Sequence, residues 1–175
     1  MSGGLMHLYT GEGKGKTTAA LGLALRAAGC GLRVAVVQFL KGRDTGELHA
    51  LALLPHVTVL RLDKDYGFFF AADDETKNSI TERHNDLLAE AKKLADEGLC
   101  DLLVLDEICA AYQNNAVDRT LADMLVLHKP QVLELVLTGR NAPAHWADAA
   151  DYVTEMILRK HPYTQGIAAR KGIEF

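Results

Sequence analysis

An α/β fold with a mostly parallel central sheet of about six strands flanked by helices is what this chain predicts. Three observations carry the prediction. The apolar runs are short and continuous, as in strands buried on both faces of a sheet. The stretches between them carry apolar residues at helical spacing. The two kinds of segment alternate along the chain, the order of right-handed strand–helix–strand crossovers. Neither an internal repeat nor a low-complexity linker interrupts them, so residues 1–175 are expected to form one domain.

Residues 5–10 read as the first strand and residues 16–28 as the helix after it. Gly29 and Gly31 are expected to end that helix by supplying positive φ. Residues 33–39, with Val34, Val36 and Val37, form the second strand, and residues 57–61 a weaker third. A long helix is predicted over residues 74–97. Its stripe is Ile80, His84, Leu87, Leu88, Ala91, Leu94 and Ala95, with Glu90, Lys92 and Lys93 facing away and Gly98 as the stop. Residues 102–105, 132–137 and 152–158 complete the sheet, and Trp146 is expected to pack on the helix following Arg140. Open sheets of this kind bind ligands at the carboxyl ends of their strands.

Composition narrows the class. With 175 residues, 49% of them hydrophobic, the chain buries roughly 70% of its unfolded surface and needs no disulfide or metal staple. A net charge of −4 argues against a protein that coats nucleic acid. Cys30, Cys100 and Cys109 are odd in number and form no CxxC pair, which reads as free thiols in a reducing compartment. His7, His49, His56, His84, His128 and His145 lack metal-ligand spacing. The opening Met1-Ser2-Gly3-Gly4 is not a secretory leader, and no apolar run reaches the roughly 20 residues of a membrane span. The expectation is a soluble cytoplasmic protein with no membrane insertion.

The chemistry begins at Thr10-Gly11-Glu12-Gly13-Lys14-Gly15-Lys16-Thr17-Thr18. Glycines between a strand and a helix can aim backbone N–H groups at phosphate oxygens, helped by the positive end of the helix dipole. Lys16 is then placed to neutralise the phosphates of ATP and the Thr17 hydroxyl to ligate Mg²⁺. The loop is short: Gly11 and Gly15 enclose three residues where the common pattern has four, and Thr10 stands at the usual first-glycine place. Lys14 either adds charge to the phosphate pocket or faces solvent.

Two further strand ends support this P-loop reading. Asp106 and Glu107 close the apolar run 102–105, where carboxylates can hold Mg²⁺; the spacing does not say which of them touches it. Arg140, in Leu137-Thr138-Gly139-Arg140, can reach a phosphate or form a surface salt bridge. Arg26 and Lys41 are weaker candidates for ATP binding. These motifs alone are also compatible with a kinase or ATPase that cleaves the terminal phosphoanhydride.

Taken together, the motifs resemble one family, the P-loop type of ATP:corrinoid adenosyltransferase. The match is carried by residues 10–20, by Val36-Val37-Gln38-Phe39-Leu40-Lys41-Gly42, by Val104-Leu105-Asp106-Glu107 and by Leu137-Thr138-Gly139-Arg140. It continues from Ala150-Asp151 through Lys160-His161 to Gly172-Ile173-Glu174-Phe175. The resemblance implies that Co(I) of a reduced corrinoid attacks the 5′ carbon of ATP and that inorganic triphosphate leaves. It implies Lys16, Thr17, Glu107 and Arg140 as catalytic residues, an electron donor or Co(II) reductase as partner, and a homodimer. A short loop suits a triphosphate held along its length and released whole.

Asp65-Tyr66-Gly67-Phe68-Phe69-Phe70 is either a local core plug or a wall for the corrinoid. In the family this segment commonly reads Gly-Phe-Thr-Trp, which puts Phe68 at the first aromatic and Phe70 at the tryptophan. Some relatives cover the site with a helix before the first strand. Here the tail 159–166 or a partner subunit is expected to do so.

Overall fold

The computed structural model describes residues 3–174; Met1, Ser2 and Phe175, which the sequence reading included at its two ends, lie outside them. The described chain alternates β1 (Met6–Thr10), α1 (Lys16–Gly29), β2 (Val34–Gln38), α2 (Gly46–Leu51), β3 (Val57–Arg61) and α3 (Asp74–Asp96). It continues through β4 (Leu102–Asp106), α4 (Ile108–Gln113), α5 (Arg119–Leu127), β5 (Glu134–Thr138), α6 (Ala144–Ala149) and β6 (Tyr152–Glu155). The strands form one sheet in the order β3-β2-β4-β5-β1-β6, and every pairing is parallel. The expected α/β sheet of six strands flanked by helices is therefore present.

Strand side chains alternate between two cores, as the period of two requires. Leu8, Val37, Leu105 and Leu137 face one side, where α3 contributes Leu88, Ala91 and Ala95, α5 Leu125 and α6 Trp146. Val34, Val36, Leu102, Val104 and Val136 face the other, covered by Ala20, Ala24, Ala27 and Ala28 of α1. These small side chains let α1 lie close to the sheet.

Each long helix has visible ends. The Asp73 carboxylate accepts from the Thr76 amide at 2.8 Å and caps α3. At the other end Gly98 has φ 61°, with Gly98 N–H on Ala95 O and Leu99 N–H on Leu94 O, a Schellman motif. The same motif closes α1, but through Gly31 alone (φ 81°): Gly29 is the last helical residue and Cys30 follows it.

Most boundaries differ from the sequence reading by a residue or more, and those of the last three strands bear on the site. The fourth strand runs one residue further, into Asp106, and the fifth starts at Glu134 because Leu133 is turned back onto Pro130 O. The sixth ends at Glu155, and all its residues are exposed, which departs from the both-faces-buried pattern expected of the strands. It is an edge strand, and the chain after it turns onto the loop between β1 and α1. There the Met156 amide donates to Thr10 O, and Gly13 N–H donates to Met156 O at 2.6 Å. Among the described residues no helix is long and apolar enough to cross a membrane. The cysteines are free, as expected; burial pushes the Cys100 thiol up to about 11 and Cys109 to about 12.

Candidate active site

Polar residues replace valines where three strands end. Val36, Val104 and Val136 face α1, so period two puts Gln38, Asp106 and Thr138 on that same face, beneath the start of α1. Gln38 is in register with Asp106, and Asp106 lies one residue beyond the Leu105–Leu137 pair. The Asp106 carboxylate is fully buried. Its Oδ1 accepts from Thr17 Oγ1 at 2.8 Å and from Thr138 Oγ1 at 2.7 Å, and its Oδ2 accepts from Lys41 Nζ at 2.6 Å. Lys41 Nζ also donates to Thr17 Oγ1 at 3.1 Å.

Glu107 leaves the strand in the left-handed region, φ 63°. Its amide donates to Thr138 Oγ1 at 2.9 Å, so one hydroxyl fixes both acids of the pair. The turn sends the two carboxylates apart, with Asp106 into the buried network and Glu107 to a cavity wall. Burial raises the Glu107 carboxyl above its ordinary value, and the neighbouring Asp106 charge adds to the effect.

The loop itself is closed around its lysine. Lys16 Nζ donates to Gly11 O at 2.7 Å and to Gly13 O at 2.9 Å, and burial lowers its pKa. The strap after β6 presses on the loop so closely that a Cβ on Gly13 would stand 2.6 Å from Met156 O. Glycine is needed here for space.

A cavity of about 660 Å³ opens above these groups. Its lining brings together Glu12, Gly13, Lys14, Gly15, Lys16, Thr17 and Thr18 of the loop, Lys41, Glu107 and Arg140, and the aromatic residues Phe68, Phe69 and Phe70. Phe69 packs against the core while Phe68 and Phe70 are 65% and 76% exposed, their rings stacked with centroids 5.5 Å apart. Phe69 thus meets the core-plug reading, while Phe68 and Phe70 leave an exposed apolar surface in the cavity lining. Arg140 Nε makes the surface salt bridge foreseen as an alternative, 3.0 Å from Glu12 Oε2.

Some candidate residues stand elsewhere. Thr10 and Gly11 lie outside the cavity lining, against the Glu155–Met156 strap, and Asp106 lies beneath it. Arg26 is also outside the lining: it sits in the last turn of α1, about 15 Å along the helix from Lys16. Lys14 is exposed, with its Nζ 3.5 Å from Ile173 O and 3.7 Å from Glu174. Cavity residues that sequence reasoning missed include Gln113, Asn114 and Asn141. Thr138 had a signal, its place two residues before Arg140. His161, Ile173 and Glu174 bring the chain's end to the cavity rim, more of the tail than the stretch 159–166.

A parallel α/β sheet whose first strand feeds a lysine-bearing glycine loop, with an acid at the end of β4, defines the P-loop class. Residues 2–175 match the profile of ATP:corrinoid adenosyltransferase BtuR/CobO/CobP. A corrinoid adenosyltransferase of Pseudomonas aeruginosa is 37% identical over 98% of this chain and 84% of its own length. One from Sinorhizobium is 35% identical over 98% and 80%, and the corrinoid adenosyltransferase CobA of Salmonella typhimurium is 31% identical over 98% and 86%. The chain belongs to the ATP:corrinoid adenosyltransferase family.

Proposed function

We propose that this enzyme transfers the 5′-deoxyadenosyl group of ATP to Co(I) of a corrinoid and releases inorganic triphosphate. The observation that carries the proposal is the single cavity shared by the lysine-bearing loop and the exposed Phe68–Phe70 pair. The loop offers charge for a triphosphate, and the rings offer an apolar surface for a macrocycle. In the transfer, cobalt supplies the electron pair for the new Co–C bond. The 5′ C–O bond breaks, and its electrons leave with the triphosphate.

The protein's part is to hold and align. Residues from Glu12 to Thr18 bind ATP, with Lys16 as the main charge on the departing group and Lys41 and Arg140 beside it. Lys16 reaches the phosphates by exchanging its loop carbonyls for phosphate oxygens, and Arg140 by releasing Glu12. Thr17 Oγ1, Asp106 and Glu107 suit Mg²⁺: they are hard oxygen donors, and Thr17 and Asp106 already share a cationic neighbour in the Lys41 ammonium. When bound, Mg²⁺ would neutralise charge building on the triphosphate. Phe68 and Phe70 flank the corrinoid. An electron donor or Co(II) reductase, a homodimeric state and a cytoplasmic setting complete the proposal.

The test is incubation with Mg-ATP and chemically reduced cobalamin. Loss of the Co(I) absorption with adenosylcobalamin and triphosphate as products is expected. ADP and orthophosphate without adenosylcobalamin would overturn the proposal in favour of a kinase or ATPase.

A further inference from the structure

Asp106 is a fully buried carboxylate, and such a group needs a compensating charge. Lys16, the cation nearest in the motif, does not supply it by contact, because its ammonium is spent on Gly11 O and Gly13 O. Among the described residues the ion-pair partner of Asp106 is Lys41, at 2.6 Å. The same ammonium lies 3.1 Å from Thr17 Oγ1, whose proton is directed at Asp106 Oδ1, so a hydroxyl lone pair faces the cation. A cation thus already bridges the hydroxyl and carboxylate that the proposed function gives to Mg²⁺.

The position is built in. Phe39 N–H donates to Asp106 O, and Leu40 adopts φ 58° with its amide on His84 Nε2 at 3.0 Å. The backbone immediately before Lys41 is therefore fixed from β4 and from α3. The Lys41 side chain is only 28% exposed and lines the cavity, one side toward Asp106 and the other open to a ligand.

We infer that Lys41 is a tethered counter-ion that fills the divalent-cation seat of the nucleotide-free enzyme and yields it when metal and triphosphate arrive together. Two cations cannot share these oxygens at such distances without strong repulsion. Free divalent metal therefore binds poorly until triphosphate oxygens give the ammonium another anionic partner. Metal entry and nucleotide entry become coupled, and the buried carboxylate is never left alone. The inference rests on the assignment of Thr17 and Asp106 to the metal.

The experiment uses the full chain without nucleotide and Mn²⁺ as the probe, followed by electron paramagnetic resonance, with thermal melts in EDTA alongside. Lys41→Met should bind Mn²⁺ roughly tenfold or more tighter than the wild type. It should melt lower in EDTA and recover when Mn²⁺ or Mg²⁺ is added. The Lys41→Met/Asp106→Asn double variant, with both charges gone, should melt higher in EDTA than Lys41→Met and ignore metal. If Lys41→Met is too unstable to isolate, Lys41→Gln, which keeps a neutral donor to Asp106, takes its place in the Mn²⁺ measurement. Unchanged Mn²⁺ affinity in the lysine variant overturns the inference. If Asp106→Asn still weakens retention of Mn-ATP in that case, only the role of Lys41 falls. An Asp106→Asn variant that holds Mn-ATP like the wild type removes the metal seat, and both readings fall with it.

Discussion

Nε2 of the buried His84 accepts the Leu40 amide at 3.0 Å while its Nδ1–H donates to Ala116 O at 2.9 Å. One neutral ring on α3 therefore ties the turn after β2 to the connection between α4 and α5. That turn carries Lys41.

Acid should weaken this tie. Burial pushes His84 down to about 4 from 6.5, against a smaller opposing effect of the Ala116 carbonyl. Between those two pH values the unfolded ring holds a proton and the folded ring does not, so stability rises with pH across the window. It is fully present above about 6.5, and about 3 kcal/mol is lost by pH 4. Gln at position 84 offers a donor and an acceptor without titrating. Chemical denaturation of the wild type and His84→Gln at several pH values should show the wild type losing more stability below pH 6.5. Parallel loss in both would sink the assignment.

Thr138 joins the two acids, donating to Asp106 Oδ1 and accepting the Glu107 amide. Thr138→Val keeps the shape but leaves that amide unpaired and takes one donor from a buried carboxylate. A loss of about 1–3 kcal/mol is expected in urea denaturation, with a smaller loss for Thr138→Ser, which retains the hydroxyl. Turnover should fall with valine as Glu107 loses its anchor. A valine variant with wild-type stability would show that the hydroxyl does not organise the pair.

What the sequence made legible follows the range of the interactions. The loop from Thr10 to Thr18 was readable because strand, glycines and Lys16-Thr17 lie within a few residues of one another. The long helix α3 was readable because its 23 residues repeat the apolar stripe many times. The helices α2, α4 and α6 have six residues each, too few to establish a period. The Lys41–Asp106 contact spans 65 residues and the tie from Leu40 to His84 spans 44, so local pattern carries neither. The left-handed turn at Glu107 was equally hidden, since no glycine or asparagine marks it. The aromatic run gave two readings because sequence cannot show which of three adjacent rings turns inward.

Two glycines on either side of Lys16 should respond oppositely to the same change. At Gly13 a Cβ would stand 2.6 Å from Met156 O, a backbone atom that also accepts the Gly13 amide. Gly13→Ala must push the strap off the loop, lowering both stability and ATP affinity. Gly22, exposed in the interior of α1, has nothing within 4 Å of its added carbon. Gly22→Ala should gain up to about 1 kcal/mol from helix propensity. Melting curves and ATP titrations of the two variants check this; equal shifts would show that the strap yields freely.

Phe68 is the sharpest probe of the corrinoid side. Its ring is 65% exposed, stacks on Phe70 and has the Arg43 guanidinium 5.7 Å from its centroid. An exposed ring contributes little to folding, so Phe68→Ala should melt within about 1 kcal/mol of the wild type. In the proposed reaction Phe68 flanks the corrinoid, where an apolar ring would keep water and other ligands off the cobalt and so favour its reduction to Co(I). Pre-formed Co(I) has already passed that step. Phe68→Ala should therefore slow adenosylation from Co(II) cobalamin with a reductase far more than adenosylation from chemically prepared Co(I). Phe68→Trp, which keeps an apolar face, should recover part of the Co(II) reaction. Equal losses in the two assays would assign Phe68 to general binding of the macrocycle, because a ring that only packs against the corrinoid favours both oxidation states alike.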